Sequence, residues 1–546
     1  MDKFNSLLTW IDQNILSLGR ELRLSYLPPL MVYAAYGISG LTGIVGTFFV
    51  KDYLGLSASF LAALGFWAGI PWALKVPIGH TVDLMWRWKS SLVGVGALLL
   101  AMSLAIMAAL IGHREPMTAI MPAEVWFVLS SLLAPIGYVI QDAVADAMTV
   151  EAVPRFDENG EPFRESDRKL MHTTMQTLGR VAIIGGGVLV ALINVYVFSD
   201  AEGLSQAAMI RLYERVYLTA LVVPFVSVLG VVMAWLLRHR QRAKLIGRGF
   251  TDRQARQMTD IHDEFIEPAK PNWWILLGSL AFVVCTLTVG LGGFQYSEEI
   301  VFGGSMAIVL FLMARLVREL DPDKRLTLVG TAVVVFMFRA IPGSGPGTTW
   351  WMIDELKFDQ QFLSVLSLIG SALTLAGLFL FRRFMAERSI AHVVGFLTIV
   401  GTLLSLPVVS MFYGLHEWTA KMTGGVVDAR FIALIDTALE SPLGQISMIP
   451  MLTWIANSAP VQLKATFFAV MASFTNLALS LSQLGTKYLN DLFVVTREVR
   501  DPVSGVVQTT ADYTQLGPLL IIQLVIGLTL PLLAIAFAKV TRFKSA

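Results

Sequence analysis

Runs of about 20 mostly apolar residues, each long enough to cross a hydrocarbon layer as a helix, recur along the chain and settle its class before any single residue is weighed. Roughly fourteen such windows lie near residues 30–50, 58–79, 90–111, 124–146, 172–198, 216–237, 273–294, 300–320, 327–342, 362–381, 390–414, 431–456, 466–485 and 517–538. Inside a bilayer every backbone N–H and C=O must be satisfied within the protein, so each window is expected to be helical. The windows occupy about half of the chain and leave no stretch for a second soluble domain of ordinary size. The expectation is an all-α polytopic membrane protein with about 14 transmembrane helices.

Composition points the same way, with 55% hydrophobic against 15% charged residues, and excludes a soluble enzyme. Lys plus Arg number 41 and Asp plus Glu 40, so no global field draws in nucleic acid. The single cysteine, Cys285, excludes an intramolecular disulfide and a cysteine-based metal site; it reads as a small core residue. Neither a Gly-x-x-x-x-Gly-Lys-Ser/Thr phosphate loop nor a His-Glu-x-x-His site occurs. Catalysis, a metal and a cofactor are not expected.

Lys and Arg concentrate in alternate connections, above all Arg238, Arg240, Arg242, Lys244, Arg248, Arg253, Arg256 and Lys270. The rule that basic loops stay inside places both termini in the cytoplasm, as in a bacterial inner membrane. Residues 1–29 show no cleavable signal; Ile11, Ile15, Leu18 and Leu22 recur at helical spacing, as in an amphipathic segment on the inner membrane surface. The charged connections then divide the chain into a six-helix bundle at 30–237, a cytoplasmic loop at 238–272, an inserted helical hairpin at 273–320, a second six-helix bundle at 327–538 and a cytoplasmic tail at 539–546. The two bundles read as related repeats.

Ionisable residues inside the windows carry the functional reading. Asp142 and Asp146 in the fourth window, and Asp436 and Glu440 in the twelfth, are each spaced i, i+4. That spacing puts both carboxylates of a pair on one helix face, where they repel unless a cation or a proton is shared. Such pairs suit proton coupling. Lys75, Arg180, Arg315 and Arg339 are the cations within windows. Lys75 and Arg315 are close enough to an inner end to snorkel, whereas Arg180 and Arg339 are expected near mid-depth, each with either a fixed salt bridge or a functional role. Tyr33, Tyr36, Trp67 and Trp72 are aromatic candidates along the same path, while Trp350 and Trp351 read as belt residues. The expected solute site comprises Arg180, Arg339, Tyr36, Trp67, Trp72, Lys75 and Gln176, and the expected proton-coupling set Asp142, Asp146, Asp436 and Glu440.

The connection after the second window reads Gly79-His80-Thr81-Val82-Asp83 with Arg87 and Lys89 following. It resembles the Gly-x-x-x-Asp plus basic signature of major facilitator transporters, which implies that Gly79, Asp83 and Arg87 belong to an inner gate. More specific stretches resemble the folate-biopterin transporter family of that superfamily: Phe48 through Ser57, Gly69 through Gly79, Asp142 to Asp146 with Val150-Glu151, Pro342 through Gly345 with Asp354 to Phe358, and Asp436, Glu440, Gln445, Pro450, Pro460, Thr466 to Ala469, Ser473 and Asn476. Residues 273–320 are expected to lie outside this resemblance. It implies the major facilitator fold, two six-helix bundles plus two inserted helices, and uptake of folates or pterins coupled to protons. Tyr36-Gly37 and Phe338-Arg339 depart from the family's usual residues, which leaves room for another anionic heteroaromatic solute. A muropeptide-permease-like carrier and a non-transporting membrane assembly factor are the alternatives. The expected partners are a small-molecule solute, protons and the lipid bilayer, without nucleic acid.

Overall fold

The computed structural model describes residues 17–73, 75–85, 88–154, 156, 161–259, 273–292, 294–318, 322–381, 384, 388–444, 446, 464–500 and 507–541. Most of the expected amphipathic N-terminal segment, Arg87, Gln445, Pro450 and Pro460 lie outside the described residues.

A helix lies over each apolar window. In the first half these are α1 (Leu27–Ile38) continuing through a 3-10 turn into α2 (Gly43–Tyr53), α3 (Ala58–Ala73), α4 (Lys75–Leu84), α5 (Lys89–Gly112), α6 (Ala123–Ala152), α7 (Glu165–Val197), α8 (Gln206–Ala220) and α9 (Val222–Gly247). The hairpin is α10 (Trp273–Leu291) and α11 (Ser297–Val317). The second half holds α12 (Pro322–Arg339), α13 (Gly347–Asp354), α14 (Gln360–Leu380), α15 (Ile390–Phe412), α16 (Ala429–Glu440), α17 (Lys464–Leu492) and α18 (Leu516–Val540). Between α17 and α18, β1 (Val499–Arg500) and β2 (Val507–Thr509) form a small antiparallel ladder.

Among the described residues nine helices are long and apolar enough to cross a membrane, and Ala58–Ala73 and Leu276–Gly290 are shorter apolar ones. The short pieces have a local cause. Proline removes a backbone donor and blocks the preceding turn; α13 is separated from α12 by Pro342-Gly-Ser-Gly-Pro346, and α16 passes into a 3-10 turn at Ser441-Pro442. The signature Gly79 to Asp83 lies on α4 rather than in a connection, because the helix runs on to Leu84.

Within the first half α1 packs on α6, α7 and α9, and α5 on α6; within the second, α18 packs on α12 and α15, and α14 on α16. Small residues allow the tightest crossings, as is usual between membrane helices. A Cβ on Gly37 of α1 would stand 2.3 Å from the carbonyl oxygen of Ile183 on α7. The halves meet along two seams, α3 against α17 and α7 against α14. The hairpin is not a detached insertion: α11 packs on α17 and α3, and α10 on α4. Phe66 and Ile70 of the first half, Phe282 and Val301 of the hairpin and Leu484 of the second half share one buried cluster.

The two ends of the bundle are distinct. One, the terminus end, carries residues 17–26 and the last turn of α18. The other, the far end, carries the connections that follow α2, α13 and α17.

Candidate functional site

The i, i+4 spacing on α6 turns Asp142 and Asp146 to the same neighbour. Lys75, in the first turn of α4, places Nζ 2.6 Å from Asp142 Oδ2 and 2.8 Å from Asp146 Oδ2. Tyr33 of α1 donates its hydroxyl to Asp146 Oδ1 at 2.6 Å. Lys75 is therefore held between two carboxylates rather than snorkelling to an end. Gln141 points elsewhere, accepting from Ser227 of α9 at 2.8 Å. Gln176 is exposed and donates to Thr149 Oγ1 at 3.4 Å.

Above this group runs an aromatic ladder. Trp72 of α3 meets Tyr36 of α1 edge to face at 5.9 Å between centroids, and Tyr36 meets Tyr138 of α6 at 5.3 Å. Arg180 of α7 acts electrostatically on Tyr33, Tyr36 and Asp142, yet among the described residues it makes no ion pair within 4 Å. From the second half, Arg339 at the end of α12 donates Nε to the carbonyl oxygen of Thr475 at 3.2 Å. It too has no carboxylate partner among the described residues. The neighbouring Asn476 donates to the carbonyl oxygen of Trp72 at 3.2 Å, so α17 carries contacts to Arg339 and to the ladder on adjacent residues.

Asp436 and Glu440 form a separate locus. Neither has an ion-pair partner among the described residues; Asp436 Oδ1 is buried without a hydrogen-bond partner, while Glu440, at the last turn of α16, is exposed. Glu440 is thus at a helix end instead of deep within a continuous span. Thr374 of α14 donates to the carbonyl oxygen of Ser441 at 2.9 Å, which ties this locus to α14.

Several expected positions fall elsewhere. Trp67 lies five residues before Trp72, well round the helix, and its indole donates to Glu298 of the hairpin at 3.2 Å; it does not join the ladder. Trp350 and Trp351 are buried, 2% and 5% exposed, which corrects the belt reading. Arg315 is exposed and lies over the Trp274 ring at 4.7 Å. Of the gate residues, Gly79 and Asp83 are on α4, and Arg87 is outside the described residues.

The far end holds functional candidates that sequence reasoning missed. Lys51 of α2 pairs with Asp354 of α13 at 2.5 Å, and Tyr513 donates to the other oxygen of Asp354 at 2.5 Å. Arg497, in the connection after α17, is 3% exposed. It donates to the carbonyl oxygens of Val50, Lys51, Leu54 and Leu56 and stacks over Trp350 at 4.1 Å. Helix α2 ends with carbonyls that have no intrahelical partner, and an arginine from the other half supplies the donors. Burial pushes this guanidinium down to about 10, with Tyr513, Asp52 and Asp354 opposing the shift, so it is charged at neutral pH. Burial and the bond to Asp354 push the Tyr513 hydroxyl well up, which keeps it a donor. No motif announces Arg497: one arginine in a polar connection reads as surface charge.

Comparisons with known proteins agree with this architecture. Residues 273–542 match the BT1 family. A folate-biopterin transporter of Synechocystis sp. (strain ATCC 27184 / PCC 6803 / Kazusa) is 22% identical over 464 residues, 84% of this chain and 74% of the relative. Among solved structures, a POT family transporter in complex with 5-aminolevulinic acid has a TM-score of 0.57 at 12% identity, covering 96% of each chain. The peptide transporter POT in complex with sulfate has 0.55 at 15%, covering 95% of each. The family match begins at residue 273 and so includes the hairpin, which corrects the expectation that 273–320 lies outside the resemblance. With the major facilitator fold along its length and a BT1 family match over residues 273–542, the chain is similar to the membrane transporters of that family.

Proposed function

We propose that this protein is a secondary active transporter that moves a folate- or pterin-like, or another anionic heteroaromatic, solute by alternating access driven by protons. One observation carries the reading: Arg180 in the first half and Arg339 in the second are without carboxylate partners among the described residues, and both are linked to the ladder of Trp72, Tyr36 and Tyr138, Arg180 by acting electrostatically on Tyr36 and Arg339 through Thr475, whose neighbour Asn476 bonds to Trp72. An arginine at membrane depth costs at least about 2.5 to 3.5 kcal/mol, and solute carboxylates would offset that cost. Lys75 is already neutralised by Asp142 and Asp146, which leaves the two arginines as the cations for solute, while the aromatic faces receive its planar part. The relative named as a folate-biopterin transporter supports the solute class.

Asp436 and Glu440, one turn apart and without a cation partner among the described residues, take up the driving proton, and Asp142 and Asp146 exchange theirs against Lys75. The bundles at 30–237 and 327–538 rock about the site, with the termini cytoplasmic in a bacterial inner membrane. On that orientation the far end faces outward and is the closed side. Gly79, Asp83 and Arg87 then latch the inner side in the opposite state.

Purified protein in vesicles should accumulate labelled folate or biopterin when a pH gradient is imposed and should lose most of that uptake with Arg339→Gln. Glu440→Gln should abolish the response to the gradient while leaving solute exchange across the membrane. Equal accumulation by Glu440→Gln would refute the coupling assignment; wild-type binding unchanged by Arg339→Gln would refute the solute site.

A further inference from the structure

The seven residues between α12 and α13, Ala340 to Pro346, interrupt a span with backbone that is not helical. Unwound backbone at membrane depth is tolerated only where other groups satisfy it, and here the groups come from one face of α17. Ser482 donates its hydroxyl to the carbonyl oxygen of Ile341 at 2.6 Å. Thr486 Oγ1 accepts from the Gly343 N–H at 2.8 Å. Asn490 donates Nδ2 to the carbonyl oxygen of Ser344 at 3.3 Å and to that of Thr486 at 2.8 Å. These three residues are spaced i, i+4, i+8, one stripe along the helix.

The fit is close as well as polar. Gly345 has φ +75°, and a Cβ there would stand 2.6 Å from Asn490 Nδ2. A Cβ on Gly485 would stand 3.1 Å from Pro342. The break is therefore seated on α17, and Arg339 is the last helical residue before it. A side chain on a helix leans towards that helix's own N-terminus, so Arg339 reaches back from the break and meets α17 a second time, at the carbonyl oxygen of Thr475.

We propose that Ser482, Thr486 and Asn490 are positioning residues for solute recognition: by holding the broken span against α17 they fix the place from which Arg339 presents its guanidinium. The assignment rests on the reading of Arg339 as a solute-binding cation. A binding group works only when the groups behind it lock its position, and the α12 helix supplies no such lock, because it ends at this residue. The stripe substitutes for the missing turn. None of the three touches solute; each acts through the backbone of residues 341–344.

The test is a cycle of variants in proteoliposomes, with labelled folate as the probe and KM and maximal rate read separately. Thr486→Val keeps the shape of the side chain and removes the hydroxyl that receives the Gly343 N–H. It should raise KM on the order of fivefold to tenfold with the maximal rate and the yield of monodisperse protein nearly unchanged, and Thr486→Ser should restore KM. In an Arg339→Gln background Thr486→Val should add nothing, since residues acting through one another are not additive. Hydrogen exchange supplies an arm that needs no solute: the amides of Gly343, Ser344 and Gly345 should exchange faster in Thr486→Val than in wild type.

Unchanged exchange overturns the proposal whatever the solute. So does a full additional KM increase in the Arg339→Gln background, or a Thr486→Val variant that loses folded protein and rate with KM intact. If Arg339→Gln raises KM and Thr486→Val does not, only the positioning role falls. If Arg339→Gln leaves KM at the wild-type value, both it and the solute reading fall.

Discussion

Arg497 donates Nε to the carbonyl oxygen of Lys51 at 2.7 Å, across 446 positions of sequence. With its three further carbonyl contacts and the Lys51–Asp354 pair beside it, this joins the end of α2 in one half to α13 and the connection after α17 in the other. The joint must come apart if the far end is ever to open.

Removing the donor should therefore favour opening. In a chain whose single cysteine is replaced (Cys285→Ser), a cysteine introduced at Ala58, which is 2% exposed and packed in the cluster of Trp350 and Val495, should be protected from maleimide and become several-fold more reactive with Arg497→Met. Bonds from a charged donor contribute about 1.5 to 3 kcal/mol each, so even partial loss should shift the population measurably. Labelling that is identical with and without Arg497 would refute the joint as a closure.

The same closure should be flat with pH through the neutral range. The Tyr513 hydroxyl has its pKa raised, so it stays a donor on the alkaline side; the Arg497 guanidinium, pushed down to about 10, loses its charge only as pH rises through that value. Protection of the reporter cysteine, corrected for thiol ionisation with an exposed control, should be constant between about pH 6 and about pH 8 and weaken as pH approaches 10. A drop within the neutral range would contradict this account.

Lys75 is the only cation between Asp142 and Asp146 within salt-bridge distance among the described residues. Lys75→Met leaves two carboxylates facing each other and should destabilise the protein by about 2 to 4 kcal/mol, less than a fully buried pair would show because Asp146 is 42% exposed. Lys75→Met combined with Asp142→Asn should recover part of that loss. Thermal unfolding in detergent measures both, and a double variant no more stable than the single would contradict mutual repulsion.

At the hairpin, Glu298 accepts from Trp67 of α3 at 3.2 Å and pairs with Lys487 of α17 at 3.4 Å, while Glu299 accepts from Tyr488. Lys487→Met and Trp67→Phe should each lower the melting temperature, and the pair should deviate from additivity by about 0.5 to 3 kcal/mol, since both act on one carboxylate. Strict additivity would show that Glu298 does not couple them.

How much of this was readable from the residues follows the range of the interactions. Window length placed a helix over at least part of each expected span, with nine helices among the described residues long and apolar enough to cross a membrane, because backbone satisfaction in lipid is a local demand. The i, i+4 spacing of Asp142 and Asp146 correctly implied a shared face, and the structure supplies Lys75 as the shared cation. The same spacing at Asp436 and Glu440 has no cation within salt-bridge distance among the described residues, and Pro442 ends the helix so that Glu440 is at its edge. Trp67 and Trp72 looked alike in a list of aromatics, yet five residues of helix turn them to different neighbours. Arg497 escaped notice and Trp350 read as a belt residue because their significance lies wholly in tertiary contacts: neither a charge in a polar connection nor a tryptophan near a helix break reveals that one stacks on the other.

The hairpin offers a handle on the whole carrier. Since one carboxylate of α11 grips a tryptophan from the first half of the chain and a lysine from the second, an antibody fragment seated on the turn between α10 and α11 would pull on both halves at once. It would bias any exchange of conformations between the halves from a place remote from the proposed solute site, without competing for it.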